Sequence, residues 1–281
     1  MSNSKRIAII GGAASGVATF DQIISQAIQS RKQNSIHEVV ILEKGDQFAR
    51  GLAYSTASNS HILNMANNTM SLRPNEPNHF ANYLESNDNL SEEDRKRNGF
   101  ARRNTFGEYL QKHLLTLLHK AATHNIQVSI KPHSDVSDIQ FTDGAYNLSI
   151  SGKERQSFDK IFLCVGNQPA VTLSEFKGKA GYHGLPYDIE TITQDISANE
   201  DIILIGSGLT AIDSYLALRE TGHSGKMTFI SRQGVLPKAR GHIEPYDLKF
   251  LSVGNISKLS NAGENTSQHK CSGNGNLIFT V

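Results

Sequence analysis

The sequence predicts an α/β fold built on two strand–turn–helix–strand units with parallel sheets, and three observations carry that reading. The first is such a unit at residues 6–44, with a glycine-rich turn and a terminal acid. The second is the same pattern repeated at residues 201–232. The third is a run of short alternating strands between the two, expected as an antiparallel meander.

In the first unit, Ile7-Ala8-Ile9-Ile10 is a short apolar run suited to a buried parallel strand. Gly11-Gly12-Ala13-Ala14-Ser15-Gly16 follows, and Phe20, Ile23, Ile24, Ala27 and Ile28 then recur with helical period. Val39-Val40-Ile41-Leu42 is the second strand, with Glu43 at its end. Together these make a Rossmann-like dinucleotide fingerprint, with Ala13 where the commoner pattern has a second glycine. Gly11 permits the tight turn, and the small Ala13, beside Gly12 and Ser15, lets backbone N–H groups approach a pyrophosphate. Gly16 lets the helix pack closely on the strand, and the helix N-terminus attracts the phosphate charge. Glu43 is placed to accept hydrogen bonds from an adenosine ribose.

Bulk properties narrow the class. With 281 residues there is room for one large or two medium domains. Lys+Arg minus Asp+Glu is 28 − 27 = +1, which gives no general pull toward nucleic acid or an anionic membrane. The basic cluster of Arg95, Lys96, Arg97, Arg102 and Arg103 follows Glu92-Glu93-Asp94 and reads as a solvated face. The two cysteines, Cys164 and Cys271, form no Cys-x-x-Cys pair, so a disulfide-reductase redox couple is excluded and a reducing cytoplasm is expected. Lys5-Arg6 before an apolar stretch imitates a signal peptide, but the turn and helix account for the same residues, and no other run reaches membrane-spanning length.

Residues 45–103 lack clear periodicity and are expected to form functional loops, a lid or a loosely ordered insertion. Thr105-Phe106-Gly107-Glu108 has the capping-box pattern, which places the start of a helix at Thr105. His113, His119 and His124 share no metal-ligand spacing and are expected at the surface or an edge, and no metal site is predicted. The meander is expected from residues 126–130, 136–141 and 146–150, with Asp143-Gly144 as a tight turn between the last two. Residues 158–169 read as one more buried strand, ending near Gly166, where a side chain would block approach to a ligand.

In the second unit, Ile202-Ile203-Leu204-Ile205 precedes Gly206-Ser207-Gly208-Leu209-Thr210-Ala211, a full G-x-G-x-x-A turn. Met227-Thr228-Phe229-Ile230 ends in Ser231-Arg232 instead of an acid, and an Arg there can take a 2′-phosphate, favouring NADP over NAD.

The chain resembles the bacterial FAD/NAD(P)-binding oxidoreductase family across roughly residues 5–250. The resemblance is carried by residues 11–16 with Glu43, by Arg50-Gly51-Leu52-Ala53-Tyr54-Ser55 and by His61-Ile62-Leu63-Asn64. It extends through Phe100-Ala101-Arg102-Arg103, Phe106-Gly107-Glu108-Tyr109-Leu110, Cys164-Val165-Gly166-Asn167-Gln168-Pro169, Gly206-Ser207-Gly208-Leu209-Thr210-Ala211-Ile212-Asp213 and Ser231-Arg232-Gln233-Gly234-Val235-Leu236-Pro237. It implies FAD on the first turn, with Arg50, Asn64 and Gly166 as further contacts, and NADP or NAD on Gly206, Gly208 and Ala211. Flavin monooxygenases are more distant relatives, and their Phe-x-Gly-x-x-x-His element is approximated by Phe176 to His183, with the histidine one residue late.

The expected organisation is an FAD-binding domain at 1–169, a linker at 170–200, a partial NAD(P)-binding domain at 201–251, and at 252–281 a disordered or aberrant tail or an edge strand, in a C-terminally truncated relative. The expected function is that of a cytoplasmic FAD-dependent oxidoreductase, passing hydride from NAD(P)H to flavin and acting on a small-molecule substrate, with monooxygenation as a minor variant. The alternatives are a truncated FAD/NAD(P) binder acting as sensor or scaffold, and an empty interaction fragment. No residue is assigned a catalytic role, and His183 is the one to test. The sequence lacks a P-loop lysine and the serine and zinc hydrolase motifs, which removes those classes.

Overall fold

The computed structural model describes residues 4–73, 75–152, 154–166, 173–184, 189–238, 254–255, 258 and 278–279. The first strand, β1 (Lys5–Ile10), leads through the glycine turn into α1 (Ala14–Gln29) and then β2 (Ile36–Leu42), which pairs parallel to β1. Three short helices, α2 (Gly51–Tyr54), α3 (His79–Glu85) and α4 (Glu92–Arg95), punctuate the long connection to α5 (Arg103–Thr123). β3 (Gln127–Lys131) then pairs parallel to β2. β4 (Val136–Thr142), β5 (Ala145–Ile150) and β6 (Glu154–Phe158) form an antiparallel sheet, and β7 (Lys160–Leu163) returns to pair parallel with β1. α6 (Ile189–Asp195) precedes the second unit, where β8 (Ile202–Ile205), α7 (Leu209–Glu220) and β9 (Met227–Ile230) repeat the parallel arrangement. A two-residue strand, β10 (Ile278–Phe279), pairs parallel to β7, so the main sheet has the order β10-β7-β1-β2-β3.

The continuous apolar runs of β1 and β2 follow from burial on both faces. Ile7, Ile9, Val39 and Ile41 point into a core shared with Phe20 and Ile24 of α1 and Leu110 and Leu117 of α5. Ala8, Ile10, Val40 and Leu42 point the other way, onto Tyr146, Leu148 and Ile150 of the meander. The meander therefore lies over one face of the parallel sheet while α1 and α5 cover the opposite one.

Several expectations change. Residues 126–130 do not start the meander, because the strand there follows a helix and joins the parallel sheet by a crossover. The third meander strand is β6, and the expected long strand at 158–169 is divided at Asp159 between β6 and β7. Residues 167–169 of that expected strand lie outside the described residues. Asp143 and Gly144 do form the turn, with φ of 53° and 79°, the pair of positive values that a type I′ hairpin needs. α5 starts at Arg103, two residues before the capping-box position, and Thr105 is buried inside its first turn.

His113 is not a surface residue: it is 7% exposed, and its Nε2 lies 2.9 Å from Oδ2 of the buried Asp21. Arg73 Nε donates to the same carboxylate oxygen at 3.0 Å, and the Ser25 hydroxyl donates to Oδ1 at 2.8 Å. Burial alone would raise the Asp21 carboxyl, but the hydrogen bonds from His113 and Ser25 and the Arg73 charge hold it at about 2. This network ties α1 to α5 and to the loop before α3.

Candidate functional site

The first glycine turn sits at the C-terminal ends of β1, β2 and β7, where open parallel sheets place their ligands. Gly11 has φ +102° and donates its N–H to Leu42 O at 2.8 Å. A Cβ on Gly11 would stand 2.1 Å from Cys164 O, and one on Gly16 would stand 2.1 Å from Gly11 O. Both glycines are thus enforced by close packing of strand, turn and helix. α1 begins after Ala13, which offers no side-chain cap, and its first turn holds no acidic residue. Uncapped amides and the positive end of the helix dipole suit a phosphate there.

Glu43 closes one side of this turn. Its Oε2 accepts the Gly12 N–H at 2.7 Å and its Oε1 accepts the Gly45 N–H at 3.1 Å. Each carboxylate oxygen keeps a lone pair for a ribose hydroxyl. Phe48 covers Gly12, where a Cβ would come within 2.7 Å of the ring.

The segment after Phe48 leans directly on the turn. Ala49, at φ +71°, donates its N–H to Gly12 O at 2.8 Å. At Gly51, φ +59°, a Cβ would meet Ala13 Cβ at 2.6 Å. Between them lies Arg50, whose Nε is buried without a hydrogen-bond partner among the described residues. A buried donor left unpaired costs about 1–3 kcal/mol, and a phosphate or flavin oxygen would satisfy it. Open helix amides and an orphaned guanidinium nitrogen as donors, with a fixed carboxylate as acceptor, fit FAD.

Gly166, at the end of β7, has φ +65° and open space where a Cβ would be, so its backbone angle rather than close contact calls for glycine. Asn64 is exposed and its Oδ1 accepts a long contact from Arg103 Nη2 at 3.4 Å, which places it toward the second unit.

The second turn is more open than the first. Gly206 has φ +114° and donates its N–H to Ile230 O at 2.8 Å, while α7 starts after Gly208 without a side-chain cap. No atom lies within 4 Å of a Cβ added at either glycine. Ala211 falls in the first turn of α7, its N–H donating to Gly208 O at 3.0 Å. A cleft of about 810 Å³ opens here, lined by Ile205, Gly206, Ser207, Ile230, Ser231 and Arg232. Arg232 thus stands on the same cleft as the turn. His183 is half-buried, with Nε2 enclosed and unpartnered among the described residues.

Sequence reasoning missed Phe48, which packs over Gly12, and the backbone role of Ala49, since a positive φ at an alanine leaves no compositional trace. Among the described residues no group of three His, Cys, Asp or Glu side chains could hold a metal, and no helix is long and apolar enough to cross a membrane.

Two uncapped glycine-turn helix starts on parallel sheets, with a meander between them, define the class of flavoproteins with two dinucleotide-binding domains. The chain belongs to the FAD-NAD(P)-binding family, whose sequence profile matches residues 8–168, more than half of the chain. The family's cofactors are FAD and NAD(P). No curated protein matches the sequence. Among solved structures, ornithine hydroxylase from Pseudomonas aeruginosa is similar with TM-score 0.55 and 19% identity, over 81% of this chain and 54% of that one. Bacillithiol disulfide reductase from Staphylococcus aureus is similar with TM-score 0.48 and 18% identity, over 92% of this chain and 64% of that one. Thioredoxin reductase from T. acidophilum gives TM-score 0.44 and 13% identity, over 80% and 56%. The chain spans less than two thirds of the length of each of these structures.

Proposed function

We propose that this protein is an FAD-dependent oxidoreductase that draws reducing equivalents from NADPH and passes them to a small-molecule substrate in the cytoplasm. Bound flavin supplies the hydride-accepting chemistry, and the chain supplies binding and orientation. The amides at the start of α1 would hold the FAD pyrophosphate, with Gly11, Gly12, Ala13, Ser15 and Gly16 keeping the turn narrow enough for close approach. Glu43 would orient the adenosine ribose, and Arg50 would neutralise charge beside the turn. Gly166 would leave room at the end of β7. On the second turn, Gly206, Gly208 and Ala211 would receive the nicotinamide dinucleotide, and Arg232 would pair with a 2′-phosphate.

The observation that carries this reading is the orphaned Arg50 Nε beside a helix start with no side-chain cap and an ordered Glu43. The test is an absorbance spectrum of the purified protein from about 300 to 550 nm, the window of flavin absorption, before and after anaerobic NADPH. A flavin spectrum that bleaches supports the proposal. A protein that takes up no flavin on reconstitution overturns it.

A second reading, a non-catalytic dinucleotide binder serving as sensor or scaffold, draws on the exposure of the second unit. Ile203, Ile205 and Ile230 are 61%, 65% and 52% exposed, so that among the described residues one face of the β8–β9 pair is uncovered. Flavin that stays oxidised with both NADPH and NADH would favour it.

A further inference from the structure

Charged residues from two separate sequence motifs meet where the two units touch. Arg103 opens α5 and Asp213 lies in the second turn of α7, and the two are only 6% and 8% exposed. Arg103 Nη2 stands 2.7 Å from Asp213 Oδ2, an ion pair. The guanidinium is fixed from its other side, since Nε donates to Ile62 O at 3.0 Å. His61 is fully buried, and its Nε2 lies 3.1 Å from the Asp213 carbonyl oxygen. A carbonyl only accepts, so in the neutral ring the proton is on Nε2, and Nδ1 accepts from the Thr56 hydroxyl at 2.6 Å.

The far end of the same helix is held independently. The Glu220 carboxylate accepts from the hydroxyls of Ser58 at 2.6 Å and Ser60 at 2.8 Å, and from the N–H groups of Asn59 at 3.2 Å and Ser60 at 3.3 Å. A carboxylate at a helix C-terminus faces the negative end of the dipole. These four donors, not the helix, account for its position, and the Ser58 hydrogen bond foremost holds the carboxyl below its ordinary range.

Asp213 and Glu220 are seven positions apart in α7, about 10 Å along the axis. One anchor would leave a pivot, but two fix the direction of the helix. The N-terminus of α7 is the second glycine turn, so whatever fixes the helix also fixes that turn relative to the first.

We infer that Arg103, Asp213 and Glu220 are positioning residues that clamp α7 onto the 56–61 loop and α5, setting the approach of nicotinamide to flavin. The inference rests on the oxidoreductase reading above. Transfer between two bound cofactors needs near-contact of the reacting atoms, and a misplacement of about 1 Å can cost a hundredfold in rate. None of the three residues is asked to touch either cofactor.

The test uses Glu220, because it is exposed and its replacement leaves the core intact. Nitroxide labels are placed on the full chain through Leu115→Cys on α5 and Lys226→Cys beside β9, with Cys271→Ser; Cys164 is 4% exposed and stays unlabelled. In the cofactor-free protein, pulsed electron resonance is expected to give one narrow distance distribution. Glu220→Ala is expected to broaden it, with Glu220→Gln, which keeps one acceptor oxygen, lying between. In the FAD-loaded protein without labels, anaerobic flavin reduction by NADPH is expected to slow about tenfold in Glu220→Ala, partly recovered in Glu220→Gln, at unchanged half-saturating NADPH. Unchanged distances, or broadened distances with an unchanged reduction rate, overturn the clamp. A wild type that NADPH does not reduce overturns the oxidoreductase reading instead, whatever the distances show.

Discussion

The charge state of Asp21 is set by its surroundings, and acid stability is expected to report on it. Its folded value of about 2 lies below the ordinary 3.8, so it contributes stability that is complete above 3.8 and disappears as pH falls toward 2. The displacement corresponds to about 2 kcal/mol. Urea unfolding between pH 2 and 6 is expected to show that loss, and Asp21→Asn should flatten this part of the profile. At the glycine turns, Gly11→Ala is expected to cost about 3 kcal/mol, from the clash with Cys164 O together with the φ of +102°. Gly166→Ala meets no neighbour and should cost only about 1–2 kcal/mol, from backbone angle alone. Chemical denaturation of both variants checks the difference. Gly11 and Gly16 were legible in the sequence because their spacing encodes their packing. Asp21 and His113 were not, because they are 92 positions apart and nothing local marks them as partners.

At the scale of elements, periodicity identified the helices better than their boundaries. The face of α5 that carries Leu110, Leu114, Leu117 and Ala121 is buried, whereas Leu115 is 67% exposed. Leu117→Ala is therefore expected to lose about 3 kcal/mol in denaturant unfolding, while Leu115→Ala stays within about 0.5 kcal/mol of the wild type. Thr105 and Glu108 match a capping box by type, yet α5 already begins at Arg103. The strand expected at 126–130 joins the parallel sheet instead of the meander for a similar reason. Alternation shows that a strand has two faces, but its partner is decided by the preceding helix, which delivers it parallel to β2. By contrast Asp143-Gly144 was readable, since few residue pairs accept two successive positive φ angles.

Across the whole molecule, the two units differ in how thoroughly they are covered. β1 and β2 are buried on both faces, whereas β8 and β9 bury one face and leave Ile203, Ile205 and Ile230 exposed. Hydrogen exchange is expected to show β8 and β9 opening well before β1 and β2, and equal protection of the two pairs would contradict that ordering. The two-unit plan itself was legible, because each glycine turn announces its own strand and helix. How the units meet is not, since Arg103 reads as part of a solvated basic face and nothing local marks Asp213 as its partner, or Ser58 and Ser60 as those of Glu220. The uncovered isoleucines also bear on how long the protein lasts in a cell. Ile205 and Ile230 line the same cleft as Gly206 and Arg232, so a ligand seated there would hide apolar surface that chaperones and proteases grip. Nucleotide supply would then govern the abundance of this protein, and not only its occupancy.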